Sequence, residues 1–183
     1  MEERMSEQEL RIELGAGARK MPGWLGVDIS PKADMVCDIG TEVWPFADGS
    51  VHEIYASHVL EHFSYLTTMR HVLDECLRVL CPGGRLRVAV PDASIYIRAY
   101  LEGRDFPEVI PVYKRAYFFN SPIDSINYIA YMAEQHKHMF DSENLLCVLR
   151  NAGFVRVAVR NFEPEIDVAK RHPQSIYAVA FKA

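Results

Sequence analysis

The apolar residues of this chain fall into seven short segments and two longer ones with helical spacing. The short segments lie at residues 11–14, 24–29, 35–38, 51–57, 85–90, 154–160 and 175–181, where glycine, proline, aspartate or serine bounds most of them, and they predict β-strands. Within residues 67–80 the apolar side chains follow the spacing i, i+3, i+4, i+7, i+8 and i+11, which predicts a helix with one apolar face. Residues 142–151 predict a second helix, capped by Asp141 or Ser142 and ended by Gly153.

The order of these elements predicts the fold class. Strands separated by helices, with a strand pair at the end, indicate an open, Rossmann-like α/β sheet. The 183 residues are expected to form one domain. Residues 93–135, rich in Tyr and Ile and interrupted by three prolines, predict an inserted segment of several short helices, and the polar residues 1–9 predict an arm. Ligands of such sheets bind beyond the carboxyl ends of the strands.

Composition narrows the classes of partner. A chain that is 49% hydrophobic and 25% charged is typical of a soluble globular protein. The net charge of -5 and the lack of a basic stripe argue against a nucleic-acid partner, and no run approaches the roughly 18 apolar residues that span a membrane. The four cysteines form no C-x-x-C pair and are expected to be reduced and buried, so we expect a cytoplasmic protein.

Polar and glycine residues mark the ends of the predicted strands. Gly15-Ala16-Gly17 follows the first strand, where glycine lets the backbone approach a ligand and leaves amide donors free for it. Asp28 ends the second strand, and its two carboxylate oxygens can accept both hydroxyls of a ribose. Asp38 ends the third and can accept from an exocyclic amine of a purine. The order of glycine loop, ribose acid and base acid therefore predicts a nucleoside site.

Six stretches carry a family resemblance, at residues 12–17, 26–29, 44–50, 57–63, 78–86 and 151–154. In them the chain resembles a class I S-adenosylmethionine-dependent methyltransferase of the small type 11 family. The resemblance implies a sheet of seven strands with the last one antiparallel, and S-adenosyl-L-methionine as cofactor. It also implies that the following residues bind the cofactor: Glu13, Gly15, Ala16, Gly17, Asp28, Ile29, Asp38, Ile39, Ser57 and His58.

The connections between the first strands depart from the family pattern. Arg19 stands where the usual loop has its third glycine, and only residues 16–23 and 30–34 join the first three strands. A parallel crossover with a helix needs about a dozen residues, so we expect the first two crossover helices to be missing or reduced to turns. One sheet face then needs another cover. We expect residues 93–135, the N-terminal arm or a second subunit to supply it, which favours a homodimer.

For catalysis we predict a base at the carboxyl ends of the strands. His58 or His136 is the candidate base, with Glu61 or Asp92 orienting it. The aromatic residues of 93–135, with Arg98, Arg104, Lys114 and Arg115, suit a small-molecule acceptor. His58-Val59-Leu60-Glu61-His62 also fits the H-x-x-E-H pattern of inverted zinc proteases, but its place between a strand and the Pro-Gly-Gly run favours the methyltransferase interpretation, and no metal is predicted.

Two other functional classes remain open. A nicotinamide-dependent dehydrogenase also uses Gly-x-Gly after a strand, but Asp28 follows Gly15 by 13 residues instead of roughly 20. A methyltransferase-like module that binds without catalysing is the second alternative, favoured by the short crossovers.

Overall fold

Seven strands form one sheet in the computed structural model, which describes residues 9–19, 21–104 and 121–183. Their order is β3-β2-β1-β4-β5-β7-β6. The strands are β1 (Arg11–Leu14), β2 (Leu25–Asp28), β3 (Met35–Val36), β4 (Val51–Ser57), β5 (Leu80–Pro91), β6 (Val155–Val159) and β7 (Ser175–Phe181). Only β7 pairs antiparallel with its neighbours β5 and β6 in this sheet of described residues. The predicted open α/β fold with an antiparallel last strand is confirmed.

Four α-helices accompany the sheet in the described residues. They are α1 (Thr68–Val79), α2 (Ala93–Leu101), α3 (Asp124–Tyr131) and α4 (Ser142–Ala152). The predicted cap of α4 is correct, because the Asp141 carboxylate accepts from the Asn144 amide and Gly153 leaves the helix at φ 112°. The start of the fifth strand was predicted too late. Leu80 already pairs with Val51, so β5 begins directly after α1 and a bulge absorbs the extra residues.

The connections among the first four strands contain turns rather than helices. The described residues between β1 and β2, and between β2 and β3, form no helix, as the short spacings predicted. Residues 37–50, between β3 and β4, are also without a helix, which the sequence analysis did not anticipate. This third connection is fixed to α1 instead. The Glu75 carboxylate accepts from the Trp44 amide at 2.7 Å, and the Arg78 guanidinium donates to the Trp44 and Phe46 carbonyls.

The two faces of the sheet have different chemistry because side chains alternate along each strand. Ile12, Ile54, Leu86 and Ala178 point to the face that α1 and α4 cover, and they belong to the main hydrophobic core. We call this the apolar face. The alternate positions of the central strands carry charged and phenolic side chains and form what we call the charged face: Glu13, Glu53, Tyr55, Arg85, Arg87 and Tyr177.

The β6–β7 loop, residues 160–174, covers part of the charged face, while Arg11 and Arg85 on that face stay half-exposed. Arg87 bridges Glu53 on the sheet and Glu163 on the loop, at 2.5 and 2.6 Å. Asp167, also on the loop, accepts from the Tyr55 hydroxyl and from both terminal nitrogens of Arg160. The sequence analysis did not predict this loop as a cover, and the expectation that residues 93–135, the arm or a second subunit cover the face stays a prediction. A loop can cover this face because the face is charged and offers partners for the loop's own polar groups.

Two further observations concern membrane-spanning helices and the cysteines. No helix in the described part of the chain is long and apolar enough to cross a membrane. Cys37 and Cys76 are buried and unpaired as expected, whereas Cys147 is exposed on α4, contrary to the prediction that all four are buried, and Cys81 is half-buried. Residues 1–8 of the predicted arm, and Tyr113, Lys114, Arg115, Tyr117, Phe118 and Phe119 of the predicted acceptor segment, lie outside the described residues.

Candidate functional site

A crevice of about 440 Å³ lies at the carboxyl edge of the sheet. Six of the predicted cofactor residues line it: Gly15, Asp28, Ile29, Asp38, Ile39 and His58. They come from the ends of β1, β2, β3 and β4, which meet at this edge because the four strands are parallel. The crevice has the size and the mixed apolar and polar lining of a small-molecule site.

The glycine loop shapes the crevice through its backbone conformation. Gly15 has φ +66°, and a Cβ built on it would lie 2.4 Å from a methyl carbon of Val59. The sequence analysis predicted that the amides of this loop would be free for a ligand, and this is wrong. Gly15 and Ala16 both donate to the Val27 carbonyl, and Gly17 donates to Asp28 at 2.9 Å. The loop therefore uses its donors to hold β2 and Asp28 in place, since buried backbone groups need partners.

Two carboxylates face the crevice in fixed orientations. Asp28 accepts from the Gly17 amide on Oδ2 and from the Ser30 amide on Oδ1, at 2.9 and 2.8 Å. Asp38 accepts from the Gly40 amide and the Thr41 hydroxyl. Each carboxylate oxygen has more than one acceptor direction, so both groups keep capacity for donors on a ligand. This geometry fits a nucleoside with Asp28 on the ribose and Asp38 on the base.

Four of the predicted cofactor residues do not line the crevice. Glu13 belongs to the charged face, where its carboxylate lies 3.1 Å from Arg19, and burial raises the pKa of Glu13. Ser57 also lies on that side, and its hydroxyl accepts from Arg171 at 3.2 Å. Ala16 and Gly17 contribute only through the loop backbone. These four residues therefore contact other parts of the protein around the crevice and do not line it.

His58 stands at the end of β4 in a strained backbone conformation, with φ +56°. The Ser175 hydroxyl donates to the Arg171 carbonyl, so it accepts from Nε2 of His58 at 2.8 Å. That fixes the proton on Nε2 and leaves Nδ1 bare, 3.7 Å from a Glu61 oxygen. Burial lowers the pKa of His58 to about 3. His58 is thus a neutral, oriented side chain, and its low pKa makes it a weaker base than the catalytic hypothesis assumed.

A second cavity of about 280 Å³ adjoins the crevice and shares His58, His62 and Gln135 with it. Glu61 and His136 line it, and both are buried. Neither carboxylate oxygen of Glu61 has a hydrogen-bond partner among the described residues. Burial raises the pKa of this carboxyl to about 8. His136 does project over the strand ends as the base hypothesis requires, and burial lowers its pKa.

The structure decides two points about the motif residues: it does not support the orienting role predicted for Asp92, and it does not show the zinc-protease arrangement that the sequence analysis disfavoured. Asp92 orients neither histidine, because its carboxylate accepts from the Ser94 amide and caps α2. His58 and His62 do not share an α-helix face, since His58 ends a strand and only Leu60–His62 form a 3₁₀ turn. The arrangement of an inverted zinc protease is therefore absent from this described segment. The structure instead brings Glu61, His62 and His136 together.

Several lining residues were not anticipated from the sequence. Val59, Phe63 and Gln135 line the crevice, and Arg171 and Gln174 line the second cavity. Val59 and Phe63 fall within the 57–63 motif, so that motif carried a usable signal. Arg171 and Gln174 come from the β6–β7 loop, more than 100 residues away along the chain, and no local pattern connects them to this edge.

Comparisons with known proteins agree with the architecture. Residues 15–88 match the family model of a methyltransferase domain. A SAM-dependent methyltransferase of Archaeoglobus fulgidus is 16% identical, with a TM-score of 0.60 over 95% of this chain and 86% of that one. A SAM-dependent methyltransferase of Methanosarcina mazei is 17% identical, with a TM-score of 0.57 over 96% and 93%.

A third similar structure is larger than this chain. Haemonchus contortus phosphoethanolamine N-methyltransferase 2, in complex with S-adenosyl-L-methionine, is 12% identical, with a TM-score of 0.57 over 95% of this chain and 48% of that one. At these identities the structural likeness shows the fold. A search of the curated proteins finds no significant match. The family match and the shared fold confirm the resemblance to class I methyltransferases that the sequence motifs predicted.

Proposed function

From the premise that residues 15–88 carry a methyltransferase domain within a class I methyltransferase fold, we propose that this protein transfers a methyl group from S-adenosyl-L-methionine to a small molecule. The observation that carries the proposal is the pair of fixed carboxylates, Asp28 and Asp38, on one crevice beside the Gly15 turn. A dehydrogenase is less well supported, because the family match is to methyltransferases and the amides of the glycine loop are already bonded within the protein.

The crevice residues fit the cofactor's nucleoside. Asp28 receives the ribose hydroxyls while its backbone donors hold it still, and Asp38 with Ile39 receives the adenine edge. Ile29 and Val59 supply apolar contact. The preformed carboxylate orientation lowers the entropic cost of binding, because the side chains lose little freedom when the ligand arrives. S-adenosyl-L-methionine, when bound, supplies a methyl group on a sulfonium with a good leaving group.

The protein's part in the reaction is then chiefly alignment. Holding acceptor and donor in line contributes up to roughly 7–11 kcal/mol of the barrier reduction. His58 stays neutral and fixed by Ser175, so it borders the reaction space without carrying charge. For an acceptor that begins protonated, His136 is the better-placed base. Its Nδ1 donates to the Ile129 carbonyl at 2.8 Å, which leaves a lone pair on Nε2.

The second cavity is the proposed acceptor site. It adjoins the crevice, and Tyr128 from α3 and Gln174 from the β6–β7 loop line it. Of the aromatic residues predicted to form an acceptor wall, Tyr96 is buried against Tyr128 and bonded to Gln174, so it supports the cavity from behind. Tyr100 and Tyr131 are exposed. The cavity volume of about 280 Å³ suits a small acceptor or one end of a longer one.

Calorimetric titration with S-adenosylmethionine, S-adenosylhomocysteine and NADH tests this proposal. We expect one binding site for each of the first two ligands and no heat from NADH. Binding of NADH alone would support the dehydrogenase. Binding of none of them would leave a methyltransferase-like module that has lost its cofactor, and would refute the proposed activity.

A non-catalytic module that keeps the cofactor is distinguished by turnover. With S-adenosylmethionine bound, slow formation of S-adenosylhomocysteine in the presence of a mixture of small hydroxyl and amine acceptors is expected. Binding without any turnover across such a mixture would favour the module over the enzyme.

A further inference from the structure

We propose that Glu61, His62 and His136 bind one divalent transition-metal ion at the wall between the cofactor crevice and the second cavity. One ligand atom from each residue lies within 4.8 Å of the other two. Metal bonds of about 2.0–2.2 Å put ligand atoms roughly 3–3.5 Å apart, so closing on an ion needs side-chain shifts of about 1 Å. The ion site itself follows from the geometry alone, and its use in catalysis rests on the proposed methyl transfer.

The two histidines are held in the tautomer that leaves Nε2 free to bind a metal. Nδ1 of His62 lies 3.1 Å from the Gln135 carbonyl, and Nδ1 of His136 lies 2.8 Å from the Ile129 carbonyl. A carbonyl only accepts, so each Nδ1 carries the proton and each Nε2 presents a lone pair. Histidine ligands in metal sites are fixed in this way, with the far ring nitrogen donating to a carbonyl or carboxylate.

Glu61 provides an independent indication. Its side chain is 2% exposed, and both oxygens are without a hydrogen-bond partner in the described residues. Oε1 lies 3.9 Å from Nε2 of His62, beyond hydrogen-bond distance. A buried polar group without a partner is costly in a folded protein and requires an explanation. An ion between Glu61 and the two Nε2 atoms would satisfy the carboxylate.

The backbone holds the three ligands together although they are distant in sequence. The amides of Lys137 and His138 both donate to the Glu61 carbonyl, at 2.8 and 3.2 Å. This clamps the segment that carries His136 onto the 3₁₀ turn that carries the other two ligands. The one cation lining this cavity in the described chain, Arg171, is engaged elsewhere, since its Nη1 donates to the Ser57 carbonyl.

The donor set indicates the class of ion and of acceptor. Two imidazoles and one carboxylate suit Zn²⁺ and neighbouring divalent metals better than Mg²⁺ or Ca²⁺, and three protein ligands leave a position open. Beside a methyl donor, that position suits an acceptor hydroxyl. With the ion bound, Nε2 of His136 is a ligand and no longer serves as the base. Coordination instead lowers the pKa of the hydroxyl, whose proton leaves to solvent. An oxygen lone pair then forms the new O–C bond while the C–S electron pair returns to sulfur.

The test measures the ion directly, on the full chain stripped with EDTA and dialysed. Titration with ZnCl₂ followed by calorimetry is expected to give one site per chain. Glu61→Gln, which keeps the side-chain shape, and His136→Ala are each expected to weaken binding at least about 100-fold. His138→Ala is the matched control, because its ring bonds Asn144 outside the cluster, and it should bind like the wild type. Co²⁺ should give a visible absorption band that Glu61→Gln abolishes.

Each outcome decides the proposal. Absence of stoichiometric Zn²⁺ binding to the wild type, or equal binding by wild type and Glu61→Gln, would overturn it, and a binding loss in His138→Ala would move the site elsewhere. If His136→Ala fails to fold by circular dichroism, Glu61→Gln carries the test. S-adenosylhomocysteine binding measured in EDTA is independent of the ion, so a failed metal site and a failed cofactor site are distinguished.

Discussion

The apolar and charged faces of the sheet solve the same packing problem by different means. On the apolar face, α1 and α4 bury aliphatic side chains, and the favourable term is the removal of apolar surface from water. On the charged face, Tyr55 is completely buried and its hydroxyl donates to Asp167 of the β6–β7 loop. Other contacts between the sheet and the loop there are between carboxylates and guanidinium groups. Helix-covered parallel sheets are apolar on both sides. This chain shows that a face whose crossover helices are reduced can instead be charged and partly covered by a loop.

The two faces also differ in how a single substitution is expected to lower their stability. Hydrophobic packing is distributed over many contacts, so a single truncation loses part of it. The charged face concentrates its contacts on a few groups, because Glu53 serves Arg11, Arg85 and Arg87 together. Removing a shared member such as Glu53 would therefore break several ion pairs at once.

Replacing Asp167 tests the charged face most strongly. Asp167 has no exposed side-chain area, and Arg160, its partner at 2.6 Å, is 7% exposed. Asp167→Ala removes the two short contacts of a buried guanidinium and leaves it only the half-exposed Glu163 at 3.7 Å as a charged partner. We expect the free energy of unfolding to fall by about 3–5 kcal/mol in urea denaturation. A loss below about 1 kcal/mol would mean that water already reaches this network. It would contradict the claim that a few buried charges stabilise the charged face.

Leu149 provides the equivalent test on the apolar face. It is fully buried on α4 within the main core. Leu149→Ala should lower the free energy of unfolding by about 2–4 kcal/mol through lost burial and the cavity left behind. The neighbouring Leu146, which is only partly buried, is the matched control and should lose less when truncated. Added salt should leave both losses unchanged, whereas it should alter the effect of Asp167→Ala.

The connection at residues 37–50 combines both kinds of contact, since the Glu75 carboxylate of α1 accepts from the amide of the buried, apolar Trp44. Hydrogen bonds from Arg78 lower the pKa of Glu75 below its ordinary value of 4.5. The ionised Glu75 carboxylate therefore stabilises the fold fully above about pH 4.5, and this stabilisation is lost as the pH falls through the folded-state pKa of Glu75. At pH 7 we expect Glu75→Gln to lower the free energy of unfolding by about 1–2 kcal/mol, with the difference from wild type narrowing in acid. A difference constant from pH 7 to pH 3 would contradict this assignment.

The smallest loss in the free energy of unfolding is expected for an exposed ion pair. Arg70 and Asp74 lie one turn apart on α1, 2.9 Å from each other and open to solvent. Asp74→Asn should leave the urea midpoint unchanged within error, because exposed pairs are weak and screened. A clear shift would indicate that surface charges contribute to this fold more generally than the loop-covered network implies.

Local patterns predicted most of the sheet. The bounds 11–14, 51–57 and 175–181 were correct because apolar residues recur along them and a glycine, serine or proline lies at or near one end of each. The charged face was missed although its signal is present: Arg11 and Glu13, and Arg85 and Arg87, occupy alternate positions of their strands. The same alternation that indicates a strand thus also indicates a second face of opposite charges.

The site was predictable in part for the same reason. Crevice residues at strand ends follow from topology, so Asp28 and Asp38 were found. The meeting of Glu61 with His136 depends on the path of residues 121–138 over the sheet edge, which no local pattern specifies. The bonded amides of the glycine loop depend on the close approach of Val27 and Asp28, which is likewise a tertiary property.

The measurement that tests the account most directly is the affinity for S-adenosylhomocysteine of wild type, Asp28→Asn and the surface control Asp74→Asn. Asp28→Asn keeps the side-chain shape but removes the charge, and each lost charge-assisted hydrogen bond is worth about 1.5–3 kcal/mol. We predict dissociation constants that agree for wild type and Asp74→Asn and rise at least about tenfold in Asp28→Asn. Equal affinity in all three proteins would contradict the claim that a nucleoside binds at this edge of the sheet.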